Sequence, residues 1–178
     1  MRIFAALHLL ASLCAPAAHP ADQPVGEVPS ETTRSELVEA LEVLHDWDVR
    51  RARAWARADL DALRALYLRG SGAGRADARM LRAYRARGLV VRRLVTQVFA
   101  VRVLRSDGSA LQVRVFDRVA GGEVVGDGDV VPLRSSRPVT RTITFRLGDG
   151  AWRVGAVIGS ATGSATTPHA GSPRRPGR

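Results

Sequence analysis

The chain has 178 residues, 46% apolar and 25% charged, which suits one globular domain with extensions rather than a disordered chain. One cysteine and two methionines exclude a disulfide scaffold, a multi-cysteine zinc site and an iron–sulfur cluster. The net charge of +10 rests on 27 arginines and no lysine, the mark of GC-rich coding; 23 of them are scattered over 34–158 among 14 acids, and only 5% of the chain is aromatic. A nucleic-acid surface gathers its bases and interleaves rings, so no nucleic-acid partner is expected.

The first 17 residues read as an export address. Arg2 gives a basic start, Ile3 to Cys14 an apolar run, and Ala15-Pro16-Ala17 a small-x-small cleavage site. The run is shorter than the roughly 20 residues a membrane helix needs. No later apolar run reaches that length, so no transmembrane span is expected in the mature chain. Bulky Leu13 stands before Cys14 where a lipobox wants a small residue; lipoprotein and freely secreted forms both stay open. Cleavage after Ala17 leaves a mature chain without cysteine, which excludes thiol catalysis. The expected location is secreted or cell-envelope. A Pro-interrupted spacer follows over 18–32, a folded unit over 33–158, and a Gly/Ser/Pro/Arg tail with no core-forming side chain over 159–178.

Within the folded unit, Thr33 and Glu36 fit a capping box that opens a long helix carrying Leu37, Leu41, Leu44, Trp47 and Trp55. Asp59 caps a short second helix with Leu60, Leu63, Leu66 and Tyr67. A third runs from Arg75 or Asp77 through Leu81 and Tyr84 to Gly88 at its C′ position. The apolar period then changes to two. Leu89–Leu104 is too long for one flat strand, so a bulge or bend is expected. Asp107-Gly108 marks a hairpin. Leu111–Val119 returns with Val113, Val115, Asp117 and Val119 on one face; Gly121 to Asp129 reads as turns; Val139–Leu147 and Trp152–Ile158 are the last strands. With no helix between them the strands pair antiparallel, giving an α+β plan: N-terminal helices on a strongly curved antiparallel sheet.

These residues carry a resemblance. Trp47-Asp48-x-x-Arg51-Ala52-x-Ala54-Trp55, Ala58-Asp59-Leu60-Asp61-Ala62-Leu63, Leu66-Tyr67, Gly74-Arg75-Ala76-Asp77, Tyr84-x-x-Arg87-Gly88, Asp117-Arg118, Thr140-Arg141-Thr142-Ile143 and Trp152-Arg153-Val154 together are similar to the NTF2-like (cystatin-like cone) superfamily, in an extracytoplasmic branch seen in actinobacterial proteins. The resemblance spans about 40–158. It implies a helix-covered, bent sheet around a cone-shaped pocket. Its members include ketosteroid isomerase-like enzymes, polyketide cyclases, dehydratases and non-catalytic binding or dimerisation modules, so the fold carries no single activity.

A helical wheel with Leu37 at 0° puts Asp48 at about 20° and Arg51 at about 320°, inside the stripe of Leu41, Leu44 and Trp55. A buried charge is costly unless paired, and residues three apart on a helix touch. Asp48 and Arg51 are therefore expected to pair, either as a structural tie or as the polar lining of a pocket. Asp117 shares a face with Val113 and Val115, and Arg141 with Ile143 and Phe145. The four form an expected neutral pocket or structural network. His45, at about 80° on the edge of the stripe, is the domain's one histidine: a surface or edge residue, a ligand contact, or the obvious general base. With Asp46 or Asp48 it weakly echoes the His–Asp pair that the resemblance associates with dehydratases. Tyr67 and Tyr84 are core tyrosines or ligand contacts.

Gly126-Asp127-Gly128-Asp129 fails as a calcium loop, because the twelfth position counted from Asp127 is Pro138. Gly70-x-Gly72-x-Gly74 follows a helix, so it is no nucleotide loop, and no Gly-x-Ser-x-Gly elbow occurs. No metal, cofactor or catalytic residue is assigned. The expectation is a non-catalytic domain that binds a small ligand or an envelope protein, with a homodimer through the sheet as a further option. The alternative is an isomerase, cyclase or dehydratase acting on a hydrophobic carbonyl compound, with His45 or Asp117 as base. An open cone would suit a ligand; one filled by Trp55, Phe99, Phe116 and Trp152 would not.

Overall fold

A computed structural model describes residues 31–159. The export address, most of the spacer and the tail beyond Gly159 lie outside the described residues. Three helices, α1 (Glu31–Ala56), α2 (Leu60–Ala65) and α3 (Gly72–Arg85), precede five strands: β1 (Val90–Ser106), β2 (Ala110–Gly126), β3 (Asp129–Pro132), β4 (Val139–Gly148) and β5 (Ala151–Gly159). All ladders are antiparallel, in the order β1-β2-β4-β5 with β3 also on β2. The α+β plan of helices on a curved antiparallel sheet is present. No helix among the described residues is long and apolar enough to cross a membrane.

The helix boundaries follow from local chemistry, with two departures. Residue 31 is already helical, so Thr33 lies inside the first turn of α1 rather than capping it. At the other end Ala58 takes φ 51°, and the N–H groups of Ala58 and Asp59 bond back to Trp55 (3.1 Å) and Ala54 (2.9 Å). That is a Schellman closure with alanine where glycine is usual. Asp59 then caps α2, accepting from the N–H groups of Asp61 (3.1 Å) and Ala62 (2.9 Å). The cap of α3 is Ser71, which accepts from Gly74 N–H, so α3 starts three residues before Arg75. Glycine is admitted there because α3 presses on Tyr67: a Cβ on Gly74 would lie 2.7 Å from Tyr67 Cβ.

The bend expected in the first strand is real. The β1–β2 register shifts four times, and Arg93 sits at φ 50°. The Asp107 carboxylate accepts from Ser109 N–H (3.1 Å) and Ala110 N–H (2.7 Å), closing the hairpin. β2 is longer than the sequence suggests, running through Gly121-Gly122 to Gly126. The reason is packing: Arg92 O lies 3.1 Å from where a Cβ on Gly122 would be, so the glycine admits the bulged partner strand instead of making a turn. β2 pairs with β4 as far as Asp117, and then with β3 from Glu123. Asp127 (φ 51°) and Gly128 (φ 85°) form the two-residue turn between β2 and β3.

One face of the sheet packs on the helices. Leu111, Val113 and Val115 of β2, Ile143 and Phe145 of β4 and Val154 of β5 meet Leu44, Trp47, Trp55, Leu63 and Leu81 in one core. Phe99 and Phe116 do not fill the cone. They meet at 5.4 Å with their rings tilted by 41° on the outer side, 46% and 41% exposed, with Arg118 over the Phe99 ring. Trp55 is a core residue beside α3, and Trp152 is half-buried against the core.

Candidate functional site

The buried stripe of α1 decides where its charges go. Ala40, Val43, Leu44, Trp47, Ala54 and Trp55 are buried, whereas Leu41 is 43% exposed. The stripe is thus centred near 300° on the wheel, about 80° from the position that Leu37 and Leu41 suggest. Arg51 lies close to its centre and Asp48 on its edge. The two do not pair with each other, and the expected four-residue network is divided between two places.

The first is a closed cluster. Arg51 donates from Nε to Asp77 Oδ2 at 2.7 Å and from Nη2 to Asp77 Oδ1 at 2.8 Å. Tyr67 Oη donates to Oδ2 at 2.7 Å, and Trp55 Nε1 donates to Oδ1 at 3.2 Å. Asp77 is 8% exposed, so one carboxylate accepts four hydrogen bonds out of water. The guanidinium also lies 5.9 Å from the ring centres of both Trp47 and Trp55. Burial opposes the Arg51 charge, but the hydrogen bond and charge of Asp77 outweigh it and hold the guanidinium proton more tightly than usual. Burial, then the Asp77 charge, raises the Tyr67 hydroxyl above its ordinary range. Tyr84 packs edge-on against Trp55 at 5.5 Å. Both oxygens of the Asp77 carboxylate are doubly engaged, and the cluster ties α1 and α3 to the segment after α2.

Asp77 is the residue that the sequence reading left unassigned, although a signal was present. Gly74, Ala78 and Leu81 form the buried face of α3, and Asp77 lies at its edge, about 40° from Leu81 on the wheel.

The second place is a cavity of about 270 Å³ between α1 and the inner face of the sheet. Leu41, Leu44, Trp47 and Val98 give it an apolar wall; His45, Asp48, Thr96, Asp117 and Arg141 supply the polar groups. Bulges on either side of Thr96 and Val98 turn this stretch of β1 towards α1. Asp117 is 2% exposed and is held by Arg141, whose Nε donates to Asp117 Oδ2 at 3.0 Å and whose Nη2 reaches the same oxygen. Asp48 is half-buried and accepts from Thr96 Oγ1 at 2.9 Å. His45 is exposed at the edge of the cavity. Trp47 is 2% exposed, and its Nε1 is a buried donor with no partner among the described residues.

Of the expected site residues, the cavity therefore gathers Asp48, Asp117, Arg141 and His45. Arg51 and Tyr67 belong to the closed cluster, with Tyr84 beside it. Among the described residues no group of three or more His, Cys, Asp or Glu side chains stands ready for a metal. A wider groove of about 870 Å³ opens between α2, α3 and the β4–β5 turn. It is arginine-lined, and two of its arginines, Arg64 and Arg153, are already paired with Asp61 and Asp149. It is more open and more polar than the cavity between α1 and the sheet.

No protein-family model matches the chain, and no curated protein matches it. Solved structures do. The chain is similar to an NTF2-like protein with a cystatin-like fold from Novosphingobium aromaticivorans, at 19% identity over 79% of this chain and 94% of that one, TM-score 0.44. It is similar to Aln2 from a Streptomyces species, at 15% identity over 75% and 93% of the two chains, TM-score 0.44. It is also similar to the intermembrane-space region of the chloroplast protein ARC6, at 12% identity over 74% and 100%, TM-score 0.46. The likeness is one of general arrangement and brings no activity or ligand with it.

Proposed function

We propose that this chain is an exported, non-catalytic domain that binds a small, largely apolar molecule in the cavity between α1 and the sheet. The observation that carries the reading is the cavity itself: a pocket of about 270 Å³ with four apolar side chains on its wall and a few convergent polar groups. That is the composition of small-molecule sites, at the small end of their usual size. Two features speak against chemistry in it. Asp117, one of the two candidate bases, has its Oδ2 engaged twice by Arg141. His45 has neither an ion-pair partner nor a hydrogen-bonded orienting group among the described residues, and a general base needs one to fix its tautomer. Export is supported by the address at 1–17.

A fragment screen followed by amide chemical shifts tests the binding. Shifts at Leu44, Thr96, Val98 and Arg141 are expected from several apolar fragments. A screen in which no fragment perturbs them would refute the reading. N-terminal sequencing of protein recovered from culture medium or envelope is expected to begin near Ala18; an intact Met1 would refute export.

A further inference from the structure

Resting on that reading of the cavity, we infer that its ligand is a small primary amine, bound as the ammonium ion, with Asp48 as its counter-ion. The assignment follows from the charges in the lining. The cavity carries two carboxylates, one guanidinium and one imidazole. Asp117 and Arg141 neutralise one another at close contact. Asp48 has no such partner: no cationic nitrogen among the described residues lies within ion-pair distance of it, His45 and Arg51 included. Among the described residues its one side-chain hydrogen bond is from the Thr96 hydroxyl to Oδ1, and none reaches Oδ2. Arg51, one turn along α1, is unavailable because both arms of its fork are spent on Asp77.

A half-buried carboxylate beside an apolar wall is under-solvated and gains most from a group that brings both a proton and a positive charge. An ammonium supplies both. A hydroxyl supplies only the proton, and a carboxylate or phosphate meets two carboxylates with the one guanidinium already taken. Leu41, Leu44, Trp47 and Val98 then receive the hydrocarbon body. The +10 charge of the chain does not reverse this. Dispersed surface charge is screened over about 10 Å at 0.1 M salt, whereas the contact with Asp48 is made at hydrogen-bond distance.

The test compares phenethylamine, phenethyl alcohol and phenylacetate, titrated into the folded protein at neutral pH and read by amide shifts of Thr96 and Val98 with calorimetry. Phenethylamine is expected to bind about tenfold more tightly than the alcohol, and phenylacetate most weakly, the factor a charge-assisted hydrogen bond supplies over a neutral one. Asp48→Asn, checked for unchanged folding by circular dichroism, keeps an acceptor for Thr96 and is expected to bring amine and alcohol to equal affinity. Equal affinity of the two for the parent protein would overturn the amine assignment while leaving the cavity as a binding site. Amine selectivity that survives Asp48→Asn would overturn the role of Asp48. Failure of all three compounds to bind at millimolar concentration would overturn the assignment and count against the cavity as well.

Discussion

Asp48 and Arg51 stand one turn apart on the same helix and end in opposite conditions. Arg51 faces the middle of the buried stripe and meets a carboxylate that accepts four hydrogen bonds, with two indoles flanking the guanidinium. Asp48 faces the stripe's edge, where the wall gives way to a cavity, and has one hydroxyl for company. The first cluster is complete, and its groups work for stability. The second has capacity left over, which is what a binding site has before its ligand arrives. A rotation of about 60° around one helix separates the two conditions.

The largest effect is expected from breaking the complete cluster. Asp77→Ala leaves Arg51, Tyr67 and Trp55 without their shared acceptor and should cost roughly 3–5 kcal/mol in urea unfolding. A loss under about 1 kcal/mol would mean that the cluster is looser than its geometry. Tyr67→Phe removes one hydrogen bond to the same charged acceptor and should cost about 1.5–3 kcal/mol.

Tyr67 also gives the cluster an alkaline signature. Its hydroxyl titrates above the ordinary range in the fold, so its contribution is whole below the unfolded value of about 10 and is lost as pH rises beyond it. Stability should therefore fall above about pH 10, and less steeply in Tyr67→Phe. Identical alkaline limbs in the two proteins would contradict the cluster's role.

Smaller effects come from the turns that frame both regions. Ala58 holds a left-handed conformation that costs an alanine about 1 kcal/mol, so Ala58→Gly should raise stability by about that amount, seen as a higher urea midpoint. Asp107 is a purely local case. Hydrogen bonds from Ser109 and Ala110 lower its carboxyl to about 2. What it contributes is present above its ordinary value of about 4 and is lost as pH falls towards 2. Because the group is exposed, Asp107→Asn should flatten only a slight acid limb, measurable by melts between pH 4 and pH 2.

Much of this framework was legible in the sequence, since its determinants are local. Asp59 caps, Asp107-Gly108 turns, the period changes after Gly88, and Val113, Val115 and Asp117 share a buried face. β3 was not legible: its four residues are all exposed, and only the partner strand defines it. Nor was the passage of β2 through Gly121-Gly122, because a glycine pair that admits a bulged neighbour looks the same in sequence as one that makes a turn. The pairing of the charges failed for a related reason. The wheel was centred on large Leu37 and Leu41, but small Ala40 and Ala54 let α1 approach the core on another side. Arg51 was thereby turned towards Asp77, 26 residues away, and no spacing rule within one helix reaches that far.

The most direct measurement sets Asp48→Asn beside Asp77→Asn in urea unfolding at neutral pH. Both replace a carboxylate by its isosteric amide, and both partners of the comparison reside in the helical layer. Asp77→Asn should lose about 3 kcal/mol or more, because the Arg51 fork is left with one acceptor and no opposing charge. Asp48→Asn should stay within about 0.5 kcal/mol of the parent, since Thr96 keeps its acceptor and no cation is stranded. Equal losses, or a larger loss at Asp48, would make Asp48 part of the scaffold and contradict the division between a closed cluster and an open site.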